Sequence, residues 1–224
     1  MKQRIEAKGV KSERIRIVRD GTELRREPPE IDSEVVNKIR GQFRFVLVHA
    51  GNLGFYGAWE TLLEGASRLA GDGIGLVFVG DGAQKEVLEA AAKGMRNVRF
   101  EPFFPGSKIP SVISSGDAHV ITVKRGLEGV VVPSKMYGIL ASGKPIVALT
   151  PSDCDVASLG REKGFSIHID PDDAAEFAEK VRQLSRNPEK LRSMGEAAQS
   201  VAPEYERQQE LNKLVNLVAE ATER

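Results

Sequence analysis

The feature that most limits the fold is a repeated alternation, from Phe45 onward, of short apolar segments and longer amphipathic ones. Several short segments are apolar at consecutive positions, which is typical of strands covered by helices on both faces of a parallel sheet. The longer segments place their apolar residues at helical spacing. The alternation therefore predicts an α/β fold, a Rossmann-like doubly wound parallel sheet with right-handed crossovers. The six predicted strands are residues 45–51, 75–82, 97–101, 118–123, 145–150 and 165–170.

The two ends of the chain fit this repeat less well. We interpret residues 1–44 as an entry segment with edge elements, including an edge strand at residues 15–18. Residues 45–202 form the predicted domain, in which Asn187 and Pro188 begin a helix as N-cap and first helical residue. Residues 203–224 are predicted to form a final helix. One face of that helix carries Leu211, Leu214, Val215 and Val218.

The charge balance and the cysteine count exclude several classes of protein. Lysine and arginine together number 32, as do aspartate and glutamate, so no overall positive charge attracts the chain to nucleic acid or to an anionic membrane. No apolar stretch approaches the roughly 18 residues that a membrane span needs, and the charged start lacks the apolar region of a signal peptide. A single cysteine, Cys154, excludes a disulfide within the chain and a cysteine-based metal cage. These features favour a location of the protein in the cytoplasm.

Two loops that follow predicted strands carry residues suited to ligand binding. In an open parallel sheet, ligands bind beyond the carboxyl ends of the strands. After the first strand, Gly51 and Gly54 allow close backbone approach and Asn52 can donate to an anion, although the glycines alone could also make a tight turn. After the fourth strand, residues 124–129 place two cations and a carboxylate on one loop. That loop is either a ligand loop or a solvated surface loop.

A third candidate is the start of the helix that follows Val131 and Val132. With Pro133 as the first helical residue, the amides of Ser134 and Lys135 are expected to be free at the positive end of the helix dipole. Lys135 adds a full charge, and a pyrophosphate is the ligand that best suits this arrangement. The alternative is an ordinary helix start.

The three histidines do not have metal-ligand spacing. His119 and His168 lie within predicted strands and are interpreted as core or edge residues. His49 ends the first strand, beside the predicted site. No nucleophile-elbow motif is present, and Gly80 to Gln84 are interpreted as a strand-to-helix turn rather than a nucleotide loop.

Four motifs together resemble a known family. They are HAGNLG, FVGDGAQKEVLEAA, NVRFEPFFP and GLEGVVVPSKMYGILASGKPIVA. Their order is similar to that in the C-terminal half of retaining glycosyltransferases of the GT-B fold, in particular the family 4 enzymes of bacterial surface-polysaccharide assembly. The resemblance implies a domain that binds a nucleotide-diphosphate sugar, most simply a UDP-sugar, as substrate, without a metal or other cofactor.

The resemblance also implies roles for individual residues. The backbone from Glu101 to Phe103 would meet the nucleobase, Ser134 and Lys135 the diphosphate, and Glu128 the sugar hydroxyls. Glu128 and Lys135 are therefore the predicted catalytic residues, because a retaining transferase must neutralise its leaving diphosphate while an oxocarbenium-like centre forms. The predicted donor-binding residues are Gly51, Asn52, Gly54, Glu101, Phe103, Lys124, Arg125, Gly129, Ser134, Lys135 and Gly138.

The sequence departs from the family pattern at several positions. The wider family carries a Glu-x7-Glu pair around this helix, and Gly138 and Val130 stand at those two positions here. The Arg and Lys that commonly follow the first strand correspond to Asn52 and about Gly57. The resemblance therefore leaves the ribose contact unassigned.

The chain is long enough for only one of the two domains of a GT-B enzyme, and the motifs indicate that this is the second domain. The expected partners are a nucleotide-sugar donor, an N-terminal acceptor-binding domain or subunit, and a saccharide or lipid-linked acceptor, with no nucleic acid. Peripheral contact with the inner face of the membrane is expected through the missing domain. Two alternatives stay open: a nucleotide-sugar epimerase of GT-B architecture, and a non-catalytic nucleotide-binding or scaffold domain.

Overall fold

The computed structural model describes residues 2–24 and 27–222, and its centre is one sheet of six parallel strands. The order across the sheet is β3-β2-β1-β4-β5-β6. This order confirms the predicted Rossmann-like α/β class, and all six predicted strands are present, with ends shifted by no more than three residues. The strands are β1 Phe45–Ala50, β2 Ile74–Val79, β3 Val98–Glu101, β4 Ala118–Thr122, β5 Ile146–Leu149 and β6 Ser166–Ile169.

Ten α-helices accompany this sheet in the described part of the chain. They are α1 Lys2–Glu6, α2 Ser33–Arg40, α3 Trp59–Ser67, α4 Lys85–Ala91, α5 Ile109–Ser115, α6 Lys135–Ala141, α7 Asp155–Lys163, α8 Ala174–Ser185, α9 Pro188–Val201 and α10 Arg207–Thr222. Helices pack on both faces, so the four central strands β2, β1, β4 and β5 are buried on both sides, as their apolar runs predicted. Among the described residues, no helix combines the length and the apolar character that crossing a membrane requires.

The strand order reverses between β1 and β4, and this point fixes where a ligand can enter. Chain order runs outward from β1 to β2 and β3 on one side, and from β4 to β5 and β6 on the other. Leu47 pairs with Ala118 across the boundary. The connections leave β1 and β4 in opposite directions, which opens a crevice at their carboxyl ends.

The entry segment differs from its prediction in two respects. Residues 15–18 form no strand, and Ile17 is 52% exposed, because none of the six sheet strands pairs with them. This part of the segment contacts the rest of the domain through the bridge from Thr22 to Glu206 and through the Arg19 amide, which donates to Glu210 at 2.9 Å. Residues 33–40 instead form α2, which the sequence analysis did not predict. Val35 and Ile39 of this helix are buried, so the domain core begins before residue 45.

The C-terminal region largely follows the sequence. Asn187 caps α9 by accepting a hydrogen bond from the Lys190 amide at 2.9 Å, and Pro188 is the first helical residue, as predicted. The last helix begins later than predicted, at Arg207, because Ala202–Tyr205 form a short 3-10 turn. Four apolar side chains along α10 are between 46% and 65% exposed: Leu211, Leu214, Val215 and Val218.

Candidate functional site

A cavity of about 490 Å³ lies at the carboxyl ends of β1 and β4, where the strand order reverses. Its walls come from the loop after β1, the loop after β3, the segment before α6, and α6 itself. The cavity therefore brings together residues that are far apart in sequence. Six of the predicted donor-binding residues line it: Gly51, Asn52, Phe103, Ser134, Lys135 and Gly138.

Lys135 lines this cavity from the start of α6. Its Nζ donates to Nε2 of His49 at 3.1 Å. A Cβ built on Gly51 would stand 3.3 Å from the same Nζ, so the amine lies directly against the loop after β1. Among the described residues, no Asp or Glu oxygen forms an ion pair with this amine. A lysine amine is thus held inside a cavity without a protein anion beside it.

Burial sets the protonation behaviour of both partners. It lowers the pKa of Lys135 to about 7, because the charged amine loses hydration without gaining a carboxylate. Burial, followed by the repulsion of Lys135, holds the pKa of His49 well below its usual value. His49 is 0% exposed and therefore neutral, while Lys135 is poised between its two protonation states near neutral pH.

The tautomer of His49 follows from its second contact. Its Nδ1 lies 3.2 Å from the carbonyl oxygen of Val120 in β4. A carbonyl oxygen can only accept, so we assign the ring proton to Nδ1, which leaves the lone pair of Nε2 for Lys135. The ring is also packed edge-on against Trp59, with centroids 4.9 Å apart. His49 is thus a fixed acceptor.

The other two histidines lie in the core or at its edge, as the sequence indicated. His119 is buried, and Nε2 contacts the carbonyl oxygen of Ile113 at 2.8 Å. Burial lowers the pKa of His119 to about 4. His168 is half-buried and contacts the carbonyl oxygen of Thr150 at 2.7 Å. In the part of the chain that the structure describes, no three His, Cys, Asp or Glu side chains form a group that could hold a metal ion.

The loop after β1 is shaped by close backbone contacts. Gly51 has φ +128°, and its amide donates to the carbonyl oxygen of Val79 at 2.8 Å. Gly80, with φ +139°, lies so close that a Cβ there would stand 2.2 Å from the Gly51 carbonyl oxygen. Side chains rarely adopt these φ values, so glycine is favoured at both positions, and at Gly80 a Cβ would also meet backbone. The backbone of this loop forms the wall of the cavity next to β1.

The start of α6 differs from its prediction. The helix begins at Lys135 rather than at Pro133, and the Ser134 amide is not free because it donates to the Val132 carbonyl oxygen at 2.9 Å. The expectation of bare amides from both Ser134 and Lys135 is therefore wrong for Ser134. The charge that this segment offers to a ligand is the side chain of Lys135.

Two predicted cations belong to another part of the surface. Lys124 and Arg125 line a second cavity, of about 750 Å³, that adjoins α3 and α4. Arg125 donates to Asp170 and Asp172, each at 2.7 Å, and these contacts raise the pKa of its guanidinium. The fold does not bring these cations to the wall that carries Lys135.

Two other predicted donor-binding residues form hydrogen bonds or ion pairs with other residues of the chain. The buried carboxylate of Glu101 is paired with Lys38 at 3.1 Å and with Arg99, and its carbonyl oxygen accepts from Gly80 at 3.1 Å. Gly54 is buried, and its carbonyl oxygen accepts from Nε1 of Trp59 at 2.6 Å. Neither residue lines the cavity.

Glu128 and Gly129 lie on the loop between β4 and α6. Oε2 of Glu128 accepts from the Gly126 amide at 2.6 Å, and Arg4 approaches its Oε1 at 3.7 Å. Backbone hydrogen bonds hold the pKa of Glu128 below its usual value, so this group is an anionic acceptor at neutral pH. Gly129 has φ +68° and shapes the same loop. The predicted contact of Glu128 with sugar hydroxyls stays a prediction.

The ends of the chain contribute residues that the sequence analysis did not select. Asp20, Thr22 and Arg207 line the cavity. The Thr22 amide donates to the Tyr205 carbonyl oxygen, and the Arg207 amide to the Thr22 carbonyl oxygen, both at 2.9 Å. No local sequence signal marks these residues, because their place depends on contact between segments about 180 residues apart. For His49, its position at the end of a strand was the available signal.

Comparison with known proteins agrees with this fold. Residues 44–187 match the family model "Glycosyl transferases group 1". The chain is 28% identical over 184 residues to "Putative colanic acid biosynthesis glycosyl transferase WcaI" of Escherichia coli K12, covering 79% of this chain and 45% of the relative. It is 24% identical over 175 residues to "Probable glycosyltransferase WbjE" of Pseudomonas aeruginosa, covering 77% and 43%. The chain thus spans less than half the length of both curated relatives.

Solved structures show the same architecture. HepE of Anabaena in complex with UDP has a TM-score of 0.77 at 15% identity, covering 98% of this chain and 61% of that one. A crystal structure of the C-terminal domain of the group 1 protein LpcC from Francisella tularensis has a TM-score of 0.65 at 16% identity, covering 83% and 99%. The family model matches well over half of the residues. The chain belongs to the glycosyl transferases group 1 family, and its fold is that of the Rossmann-like domains of GT-B glycosyltransferases.

Proposed function

We propose that this chain is the donor-binding domain of a retaining glycosyltransferase and that its cavity holds the diphosphate of a UDP-linked sugar. The observation that carries the proposal is the amine of Lys135, which is held in the cavity and forms no ion pair with a carboxylate of the described residues. A buried cation without a protein counter-ion costs folding free energy unless a ligand supplies the anion. The likeness to HepE, which was solved with UDP and with UDP and glucose, supports a uridine nucleotide as that ligand.

The polarity of the cavity suggests how the donor lies in it. Phe103, which is 70% exposed, and Phe104 line it after β3 and offer flat apolar surface for a nucleobase. Lys135 and Asn52 line the part next to β1 and offer donors for phosphate oxygens. We therefore place the base towards β3 and the diphosphate against the loop after β1.

The proposed chemistry depends on charge at the leaving group. As the bond from the anomeric carbon to the diphosphate oxygen breaks, negative charge collects on the diphosphate. The Lys135 ammonium would stabilise that charge more strongly than the charge of the ground state, which is how such a contact accelerates a reaction. Glu128 is ionised and would accept hydrogen bonds from sugar hydroxyls rather than supply a proton.

The remainder of the enzyme is part of this proposal. Because the chain spans less than half of its curated relatives, we assign the saccharide or lipid-linked acceptor to an N-terminal domain or subunit. The exposed apolar residues along α10, beginning with Leu211, provide a surface for that domain. The chain alone would then bind donor and transfer little sugar. Rapid transfer by the isolated chain would contradict this division of labour.

Calorimetric titration of the chain with UDP, UMP, GDP and UDP-glucose tests the proposal. We expect UDP to bind more tightly than UMP, because the second phosphate adds charge next to the amine. Lys135→Met should weaken UDP binding by about 1–3 kcal/mol, the value of a charge-assisted hydrogen bond. Lys93→Met is the matched control, because exposed Lys93 follows α4 and precedes β3 at the opposite edge of the sheet. That variant should bind UDP as the unmodified chain does.

Other outcomes would favour other functions. Failure of every nucleotide to bind would favour a scaffold domain and overturn the proposal. Equal affinity of UDP for the unmodified chain and for Lys135→Met would place the diphosphate elsewhere. Conversion of a UDP-sugar into its epimer would identify the epimerase alternative.

A further inference from the structure

His49 is the one side chain that the structure shows in hydrogen-bond contact with the amine of Lys135 in the described part of the chain. The ring is fully buried at the end of β1 and is held by the Val120 carbonyl oxygen, by Trp59, and by Phe78 at a centroid distance of 6.0 Å. Its Nε2 lone pair therefore points in a fixed direction. An unbranched lysine side chain has no such rigidity of its own, because its four methylene groups rotate freely.

We propose that His49 is the positioning residue of this site: its neutral ring holds the Lys135 amine beside Gly51, and this amine takes up a proton from solvent when a nucleoside diphosphate binds. The inference rests on the proposed function. The proton moves from water onto Nζ, while His49 keeps its proton on Nδ1 throughout. Nζ then carries three protons, of which one points to Nε2 and the others are available to phosphate oxygens.

The other titratable groups around the cavity do not take this role. His119 on β4 is neutral near pH 7, and its Nε2 is engaged by the Ile113 carbonyl oxygen. The hydroxyl of Tyr56, in the loop after β1, donates to the Asn52 carbonyl oxygen at 2.5 Å. Asp20 and Arg207 line the cavity from the chain ends, and neither contributes to the pKa shift of Lys135, whose cause is burial.

The size of the proton uptake follows from the state of Lys135 in the free chain. With a pKa of about 7, the amine is about half protonated at pH 7 and about 10% protonated at pH 8. A bound diphosphate would favour the ammonium, so UDP binding at pH 8 should take up about 0.9 proton. The phosphate groups contribute little there, because their second pKa is about 6. Between pH 7 and pH 9 the UDP dissociation constant should rise about 50-fold, as the protonated fraction falls from about 0.5 to about 0.01.

Two substitutions separate the acceptor function of His49 from its packing. His49→Asn places an amide near the position of Nδ1, which keeps the contact with Val120 and removes the acceptor for Lys135. His49→Gln reaches the position of Nε2 and restores an acceptor there. In His49→Asn we expect the amine to move into solvent in the free chain and to stay protonated up to pH 9. Ordering that amine again on binding costs free energy.

The test combines calorimetry with nuclear magnetic resonance. UDP is titrated at pH 7, 8 and 9 in buffers of different ionisation enthalpy, which gives the affinity and the number of protons taken up. For His49→Asn we expect at least tenfold weaker binding at pH 7, less than a threefold change in affinity from pH 7 to pH 9, and uptake below 0.3 proton at pH 8. His49→Gln should restore most of the affinity and of its pH dependence. A packing role alone would lower the affinity without removing the pH dependence.

Measurements on the free, unmodified chain keep the inference testable if His49→Asn does not fold. Nitrogen chemical shifts should show the Nδ1–H tautomer of His49, and a resonance of ¹³C-methylated Lys135 should titrate near pH 7. An Nε2–H tautomer, or a pH profile of UDP binding that is the same in His49→Asn and the unmodified chain, would overturn the inference while leaving the proposed function intact. Failure of the unmodified chain to bind UDP would overturn both.

Discussion

Replacing Lys135 by methionine should make the free chain more stable at neutral pH, although it removes the charge that the proposed ligand needs. Burial lowers the pKa of this amine from 10.5 to about 7. Between these two values the unfolded chain holds a proton that the folded chain has largely released. Stability therefore rises with pH over this interval, and the lysine destabilises the fold most at the lower end of it.

The magnitude follows from the two pKa values. The linkage relation gives a cost of about 4 kcal/mol at pH 7 and about 2 kcal/mol at pH 9 for keeping Lys135 in the fold. Methionine removes this cost, but it leaves the buried Nε2 of His49 without a donor, which costs about 1–3 kcal/mol. The second term does not change with pH, because the pKa of His49 lies well below its usual value and the ring is neutral throughout. The advantage of Lys135→Met should therefore shrink by about 2 kcal/mol between pH 7 and pH 9.

Urea denaturation of the unmodified chain, Lys135→Met and Lys93→Met at pH 7 and pH 9 measures this difference. Lys93 is exposed, so its variant should stay within about 0.5 kcal/mol of the unmodified chain at both pH values. A stability difference for Lys135→Met that is the same at pH 7 and pH 9 would refute the reasoning, because it would show that the amine keeps an ordinary pKa in the fold.

Four further predictions test the fold and the boundaries of the site. Gly80→Ala should lower the free energy of unfolding, measured by urea denaturation, by more than about 3 kcal/mol, because φ is +139° and a Cβ would stand 2.2 Å from a backbone oxygen of the loop after β1. Gly94 has φ +88° and open space around it, so Gly94→Ala should lower the free energy of unfolding by only about 1 kcal/mol. Gly138→Glu should leave the fold intact, because a Cβ at this position meets its nearest atom at 3.8 Å and glutamate has a helix propensity about 0.5–1 kcal/mol more favourable than that of glycine. If the new glutamate restores the family's ribose contact, calorimetry should show tighter UDP binding. Arg125→Met should leave UDP affinity within twofold and change the unfolding free energy by less than about 1 kcal/mol, since its ion pairs are exposed. Phe177→Ala should cost about 3–5 kcal/mol on unfolding, because the ring is 0% exposed within the main core cluster.

The elements of the fold that depend on local pattern were predictable. Short apolar segments marked all six strands, and Asn187 with Pro188 marked the start of α9, because each signal lies within a few neighbouring residues. The helix α2 was not predicted, although Asp32 caps it by accepting from the Glu34 amide at 2.9 Å. Its buried apolar positions, Val35 and Ile39, are too few to stand out from the charged residues around them.

The candidate site was predictable only in part. The rule that ligands bind beyond the carboxyl ends of parallel strands selected the loops after β1 and β4, and Gly51 and Lys135 do meet there. The same rule selected Lys124 and Arg125, which the fold places beside a different cavity, because the direction of a side chain on a loop depends on the partners available to it. Asp170 and Asp172 provide those partners for Arg125.

Hydrophobic periodicity and chain direction are enough to predict the class of fold, the six strands of the central sheet and the crevice at their carboxyl ends. Three features depend on the tertiary structure: Lys135 has a histidine rather than a carboxylate beside it, Glu101 is paired with Lys38 and Arg99, and the chain ends contribute Asp20 and Arg207 to the cavity. The physical reason is that burial and electrostatic pairing are properties of neighbours in space. Lys135 and His49 are 86 residues apart in the chain, yet Lys135 is the second cause, after burial, of the lowered pKa of His49.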